Sequence, residues 1–338
     1  MAAAAAAISG PISSFIDEEL ELVKNQYSDI PGAELIACHP MAVRVKIWKT
    51  KLKTLTVCIQ FPENYPDSPL LIELKSSVMS EKLLDGLTKL CEQECKNFLR
   101  KKQVMTTLYF VKHFIDDNPL CVCSEEISYI KKDLLTKVDE IKLKQKTSNV
   151  TIKICQDQYF IKINCTVPDH YYNEQLQLEL VDHNFPEVFS RYFFGYAVEI
   201  TRRCVQPPIK KNPKDPPFQP KPSLKLVADF LFTCVRRYPT EQCALCNKNA
   251  LPANPKEIIK DPLNDEYIER VYCGHIYHKR CMDLYFKTPP FEGGKKCPKC
   301  NKRIYHDKWR VTPQIAEARW AHQQARQREL DEVVDFLQ

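Results

Sequence analysis

The chain has 338 residues, 44% of them hydrophobic and 27% charged, with a formal net charge of +6. That length allows two or three domains, and the composition is ordinary for a globular protein. No run of 18 or more apolar residues offers a membrane span. Sixteen cysteines without a secretory signal imply thiols and metal ligands in a reducing compartment, cytoplasm or nucleus. The sequons at Asn149 and Asn164 then read as chance matches.

The start, "MAAAAAAISGP", lacks a basic region and a proper apolar core, so residues 1–12 read as a disordered tail. A helix is expected over 13–27, capped by Ser and acidic in its first turn. Leu55, Val57 and Ile59 alternate as in a strand. The turn "FPENYPDSP", a short strand and helices over 80–99 and 104–117 follow, closing a first domain at 13–119.

The next 119 residues repeat that plan. "TLTVCIQFPENYPDSPLLIEL" (54–74) and "FIKINCTVPDHYYNEQLQLEL" (160–180) align without a gap. Pro62/Pro168, Tyr65/Tyr171, Leu70/Leu176, Glu73/Glu179 and Leu74/Leu180 are identical pairs. Ile161, Ile163 and Cys165 repeat the alternation. Helices are expected over 124–144, 185–204 and 223–237. Residues 205–222 hold seven prolines and read as an extended loop inserted in this second domain, 120–238. Cys121 and Cys123 read as loop residues between the repeats, and Cys91 and Cys95 as half-buried helix thiols.

Eight ligand types then come as four pairs: Cys243/Cys246, Cys273/His275, His278/Cys281 and Cys297/Cys300. Eight S and N donors suit two tetrahedral Zn²⁺ ions with every position filled, and filled sites are structural. A segment this short and polar needs such staples. The four pairs can share two ions in three ways, and spacing does not choose among them. Residues 243–310 hold 14 Lys and Arg against 8 Asp and Glu. Bound thiolates and zinc would trim that surplus to about +4, too little to call for a nucleic acid. After Thr312 and Pro313, a helix to about residue 336 is expected. Its apolar face would carry Ala318, Ala321, Ala325, Leu330, Val333, Val334 and Leu337.

The order C-x2-C, x26, C-x-H-x2-H-x2-C, x15, C-x2-C resembles a RING domain of the H2 type, here at 239–310. That resemblance implies the cross-braced sharing: Cys243, Cys246, His278 and Cys281 on one zinc, and Cys273, His275, Cys297 and Cys300 on the other. It also implies an E2-binding surface. Leu245 stands where family members carry an aliphatic contact, Pro298 where they carry a proline, and Tyr285 where many carry a tryptophan. Asn301 stands where active members often place an arginine that bridges ubiquitin and E2; Lys302 and Arg303 follow it.

The first domain, through helix, strands and "FPENYPDSP", resembles an RWD domain, a relative of the E2 fold. No H-P-N stretch and acceptor cysteine follow that turn, so no E2 chemistry is expected. The second resembles a diverged RWD domain. The order resembles that of RWD–RING ubiquitin ligases, the Fanconi anaemia ligase among them. The implied protein is α+β: two catalytically inactive RWD domains, a two-zinc RING and a C-terminal helix. It would be a RING-type E3 ubiquitin transferase with no covalent ubiquitin intermediate and no catalytic residue of its own. Its partners would be an E2, ubiquitin and a protein substrate. The alternative is a zinc-containing interaction adaptor.

Overall fold

The computed structural model describes residues 11–208, 216–309 and 312–337. Residues 1–10 of the tail expected at 1–12, and the centre of the proline-rich loop, 209–215, lie outside the described residues, whereas residues 11 and 12 of that tail already belong to a helix. The chain is mixed α/β and divides into two compact units. One comprises 1–152, 163–179 and 197–229; the other comprises 153–162, 180–196 and 230–338. Among the described residues, no helix is long and apolar enough to cross a membrane.

In the first unit, helix α1 (Pro11–Gln26) leads into four antiparallel strands. These are β1 (Ala33–His39), β2 (Ala42–Trp48), β3 (Thr54–Gln60) and β4 (Leu71–Lys75), paired in that order. Alternation decides which side chains are inside: Val43, Val45, Ile47, Leu55, Val57 and Ile59 are wholly buried. Val45 lies opposite Val57, which lies opposite Leu74. Gly32 makes the entry to this sheet possible. Its φ is +74°, and a Cβ there would meet the Trp48 carbonyl oxygen at 2.2 Å. Helices α2 (Glu81–Lys96) and α3 (Val104–Asp117) close this part of the fold. Cys91 and Cys95 on α2 are fully rather than half buried.

One buried carboxylate ties these parts together. Glu19 of α1 is wholly buried. Its Oε1 accepts from the Gln103 and Val104 N–H groups at 2.6 and 2.7 Å. Its Oε2 accepts from the Tyr65 hydroxyl. An acid is thus set against the unpaired N–H groups that open α3, where negative charge is favoured. Burial still raises the Glu19 pKa, against the lowering effect of these donors.

The second run follows the same order. Helix α4 (Ser124–Tyr129) continues into a π-helical turn, Ile130–Leu134. The strands are β5 (Glu140–Lys144), β6 (Asn149–Gln156), β7 (Tyr159–Thr166) and β8 (Gln177–His183), in sheet order β5-β6-β7-β8. Helices α5 (Glu187–Val205) and α6 (Leu224–Arg237) end it. The polar device recurs at equivalent places. Glu126 accepts from Lys225 N–H at 2.8 Å. The Tyr171 hydroxyl accepts from Ser223 and Leu224 N–H at 2.9 and 2.6 Å.

Further expectations change. Helix α1 starts at Pro11, so Ser13 and Ser14 lie inside it rather than at its cap, and its first turn holds no acidic residue. Residues 124–144 are not one helix: 140–144 is a strand whose Ile141 and Leu143 are half-buried and whose charged neighbours are exposed. Lys and Glu favour helix locally, and strand pairing overrode that propensity. Cys121 and Cys123 belong to a buried 3-10 turn, Pro119–Cys123, not to a loose loop. Strands β1, β2 and β6 were not anticipated from the sequence, although Val43, Val45 and Ile47 carry the alternation.

In the second unit, Phe185, Phe189, Phe193, Tyr159 and Tyr238 form an aromatic cluster with ring centroids 4.8–6.0 Å apart. The Tyr159 hydroxyl donates to the Pro252 carbonyl at 2.7 Å. The Arg270 guanidinium sits 3.4 Å from the Tyr192 ring centroid. The cysteine-rich segment is therefore packed on aromatic residues of β7 and α5.

Candidate metal centre

The two C-x2-C pairs are built alike. Cys243 N–H donates to Lys248 O at 2.9 Å, and Asn247 N–H donates to Cys243 O at 2.8 Å. Fifty-four residues later, Cys297 N–H donates to Lys302 O and Asn301 N–H to Cys297 O, each at 2.8 Å. Each turn closes on an asparagine in the left-handed region, φ +58° at Asn247 and +57° at Asn301. Asparagine tolerates that conformation better than most residues.

Between these turns runs a short antiparallel hairpin, β9 (Ile268–Arg270) and β10 (Ile276–His278). Its connection bends at Gly274, φ +91°, and carries Cys273 and His275. His278 ends β10, and Cys281 lies in the first turn of α7 (Lys279–Lys287).

This layout interleaves the donors. Cys243, Cys246, His278 and Cys281 converge in one cluster, and Cys273, His275, Cys297 and Cys300 in the other. Within each, all donor atoms lie within 4.8 Å of one another. His278 Nδ1 is 3.3 Å from Cys246 Sγ and 3.9 Å from Cys281 Sγ. His275 Nδ1 is 3.4 Å from Cys273 Sγ and 3.3 Å from Cys297 Sγ. A zinc tetrahedron with bonds of about 2.3 Å has sulfur–sulfur edges near 3.8 Å, so these clusters match its size and donor chemistry. Both could hold a metal ion, and a set of thiolates and imidazoles suits zinc.

The surroundings favour deprotonated sulfur at Cys243 and Cys297, one in each cluster, whereas burial and the neighbouring thiols push Cys273 up to about 11 and Cys281 up to about 12. Burial opposes a thiolate at Cys243, but His278 and the N–H groups of Leu245 and Cys246 outweigh it and hold the thiol at about 6. At Cys297, burial is likewise outweighed by the Tyr277 hydroxyl and the N–H groups of Lys299 and Cys300. Tyr277 lies 2.9 Å from Cys297 Sγ. Such outer groups orient metal ligands and tune them.

The apolar core here is small: Cys243, Val271, Tyr277, Met282, Cys297 and Ile304. Leu245 and Tyr285 are half-buried against it. The Tyr285 hydroxyl donates to Lys296 O at 2.8 Å, and Lys295 Nζ lies 4.5 Å from its ring centroid. Pro298, Asn301, Lys302 and Arg303 are exposed. Arg303 lies along Gly294 and faces the Tyr305 ring at 5.4 Å.

Several contributors have no clear signal in the sequence. Trp309 stacks on Phe286 at 5.3 Å and donates to Asp283 Oδ1 at 2.7 Å. Glu269 receives Lys308, with His306 at 3.4 Å. Burial opposes the Glu269 charge, but these two partners hold its pKa below the ordinary value. Buried Glu241 pairs with Arg237 at 2.9 Å and Lys299 at 3.0 Å. The one available signal was Trp309 itself, an aromatic a few residues past the final ligand pair. The last helix, α8 (Pro313–Leu337), begins as expected, with Ile315 N–H 3.4 Å from Thr312 Oγ1. The expected apolar face does not pack: Ala318, Ala321, Ala325, Leu330, Val333 and Val334 are exposed, whereas Ala316 and Trp320 turn inward. The Leu337 side chain lies outside the described residues.

Residues 12–115 match the RWD domain family, a span that covers α1 through the body of α3, under a third of the chain. Comparison with curated proteins finds no match. The match assigns the first segment to a domain type suited to protein interaction in ubiquitin-related pathways.

Proposed function

We propose that this protein is a RING-type E3 ubiquitin ligase with a second, diverged RWD domain at 120–238 and a RING at 239–310. The observation that carries the reading is the interleaved pair of four-donor clusters. In this reading, zinc-bound turns present Leu245 and Pro298, with Tyr285 of α7 beside them, to a ubiquitin-charged E2. Catalysis is by positioning the thioester, so the chain needs no nucleophile. The RWD domains hold substrate or partner, and the protein works in cytoplasm or nucleus. The repeated carboxylate–tyrosine device around Glu19 and Glu126 supports the tandem arrangement.

The test is ubiquitin transfer by the purified chain with E1, ATP and an E2 panel. Wild type should discharge at least one E2, and Leu245→Ala and Pro298→Ala should each abolish most of that activity. A zinc-loaded chain that stimulates no E2 would refute the ligase reading. The second reading, a non-catalytic adaptor, draws on Asn301, whose left-handed backbone fits the turn better than arginine would.

A further inference from the structure

The start of α8 walls a groove of about 490 Å³ against α7 and the loop after it. Phe286, Phe291, Trp309 and Trp320 form its apolar lining, and Lys287 and Arg319 stand on it as exposed cations. Neither cation forms an ion pair with another described residue. The other end of α8 has the opposite character. Leu330, Val333 and Val334 are 52%, 56% and 51% exposed. Their i, i+3, i+4 spacing places them on one strip. Glu329 and Asp331 flank the strip, and with Glu332 and Asp335 these four acids outnumber Arg326 and Arg328, leaving this end net negative.

The two features complement each other, yet one chain cannot join them. From Ala316 at the groove to Leu330 is 14 residues of one continuous helix, about 21 Å at 1.5 Å per residue. The acidic end therefore points away from its own groove. We propose that the occupant is a second copy of this chain: the strip Leu330–Val333–Val334 of each protomer fills the aromatic groove of the other, with Glu329 and Asp331 meeting Lys287 and Arg319. Exchange of identical ends makes the contact reciprocal, so it closes as a two-fold dimer rather than growing into a filament.

The test uses the full chain and light scattering after size exclusion, at tens of micromolar and low salt. The groove variant is Lys287→Glu/Arg319→Glu, and the tail variant is Glu329→Arg/Asp331→Arg. Wild type should show twice the 39.4 kDa chain mass. Each variant alone should show the mass of one chain, because its groove and tail now carry like charge. Mixed, the two variants restore opposite charge at both contacts and should regain the two-chain mass. A wild-type chain that remains monomeric overturns the proposal. So does a variant that still dimerises alone, or a mixture that stays monomeric.

Discussion

The Glu19 network predicts a specific non-additivity. Glu19→Leu keeps side-chain volume but removes the acceptor of three groups: Gln103 N–H, Val104 N–H and the Tyr65 hydroxyl. Each buried donor left unpaired costs about 1–3 kcal/mol, so the substitution should destabilise by about 3–6 kcal/mol after partial relaxation. Tyr65→Phe removes one hydrogen bond to a charged acceptor, about 1.5–3 kcal/mol, while the two backbone donors still hold Glu19. In the Glu19→Leu background the same Tyr65→Phe change should cost almost nothing, since it removes a hydroxyl already orphaned. The coupling is then about 1.5 kcal/mol or more. Urea unfolding of the four proteins, followed by far-UV circular dichroism, measures it. Costs that add to within about 0.5 kcal/mol would refute a shared network. A Glu19→Leu protein as stable as wild type would show that α3 does not need the carboxylate.

Four further outcomes follow from the metal centre and its surroundings. Elemental analysis should find about two zinc ions per chain, falling to about one in Cys243→Ser or Cys273→Ser, because each cluster closes separately. Chelation at neutral pH should unfold the segment from Cys243 to Trp309, seen as loss of near-UV circular dichroism; its core is too small to replace metal binding of order 10–16 kcal/mol. Asn301→Gly should be tolerated, whereas Asn301→Arg should cost about 1 kcal/mol in thermal unfolding for its left-handed backbone. If the ligase reading holds, that same arginine should raise ubiquitin transfer. Trp309→Ala should destabilise by about 2–3 kcal/mol, below the range for a fully buried aromatic because Trp309 is half-buried, and should leave Asp283 with Lys279 alone among the described residues; an unchanged melting curve would show that the stack on Phe286 is idle.

Elements whose signal is local are legible in the residues alone. The 3.6-residue pattern of α2, α3 and α6 and the alternation at 55–59 and 161–165 depend on nearby residues, and each formed within a few positions of expectation. Strand β5 is not legible in that way. Glu140–Lys144 has the composition of a helix, and only pairing at the edge of the second sheet makes it extended. The α8 face failed for a related reason: helical spacing shows which residues share a side, not whether anything covers that side.

By itself the sequence determined the chemistry: which eight side chains can bind a metal, in what order, and that a two-part repeat precedes them. Ligand type and count are properties of residues, and the repeat is a property of residue order. The tertiary structure decided which donors meet, because the β9–β10 hairpin carries Cys273 and His275 to one cluster while delivering His278 and Cys281 to the other. It also decided that Glu19 and Glu126 cap helices far along the chain, and that Arg270 rests on Tyr192. Those contacts join residues many tens of positions apart, and no local pattern encodes such a distance.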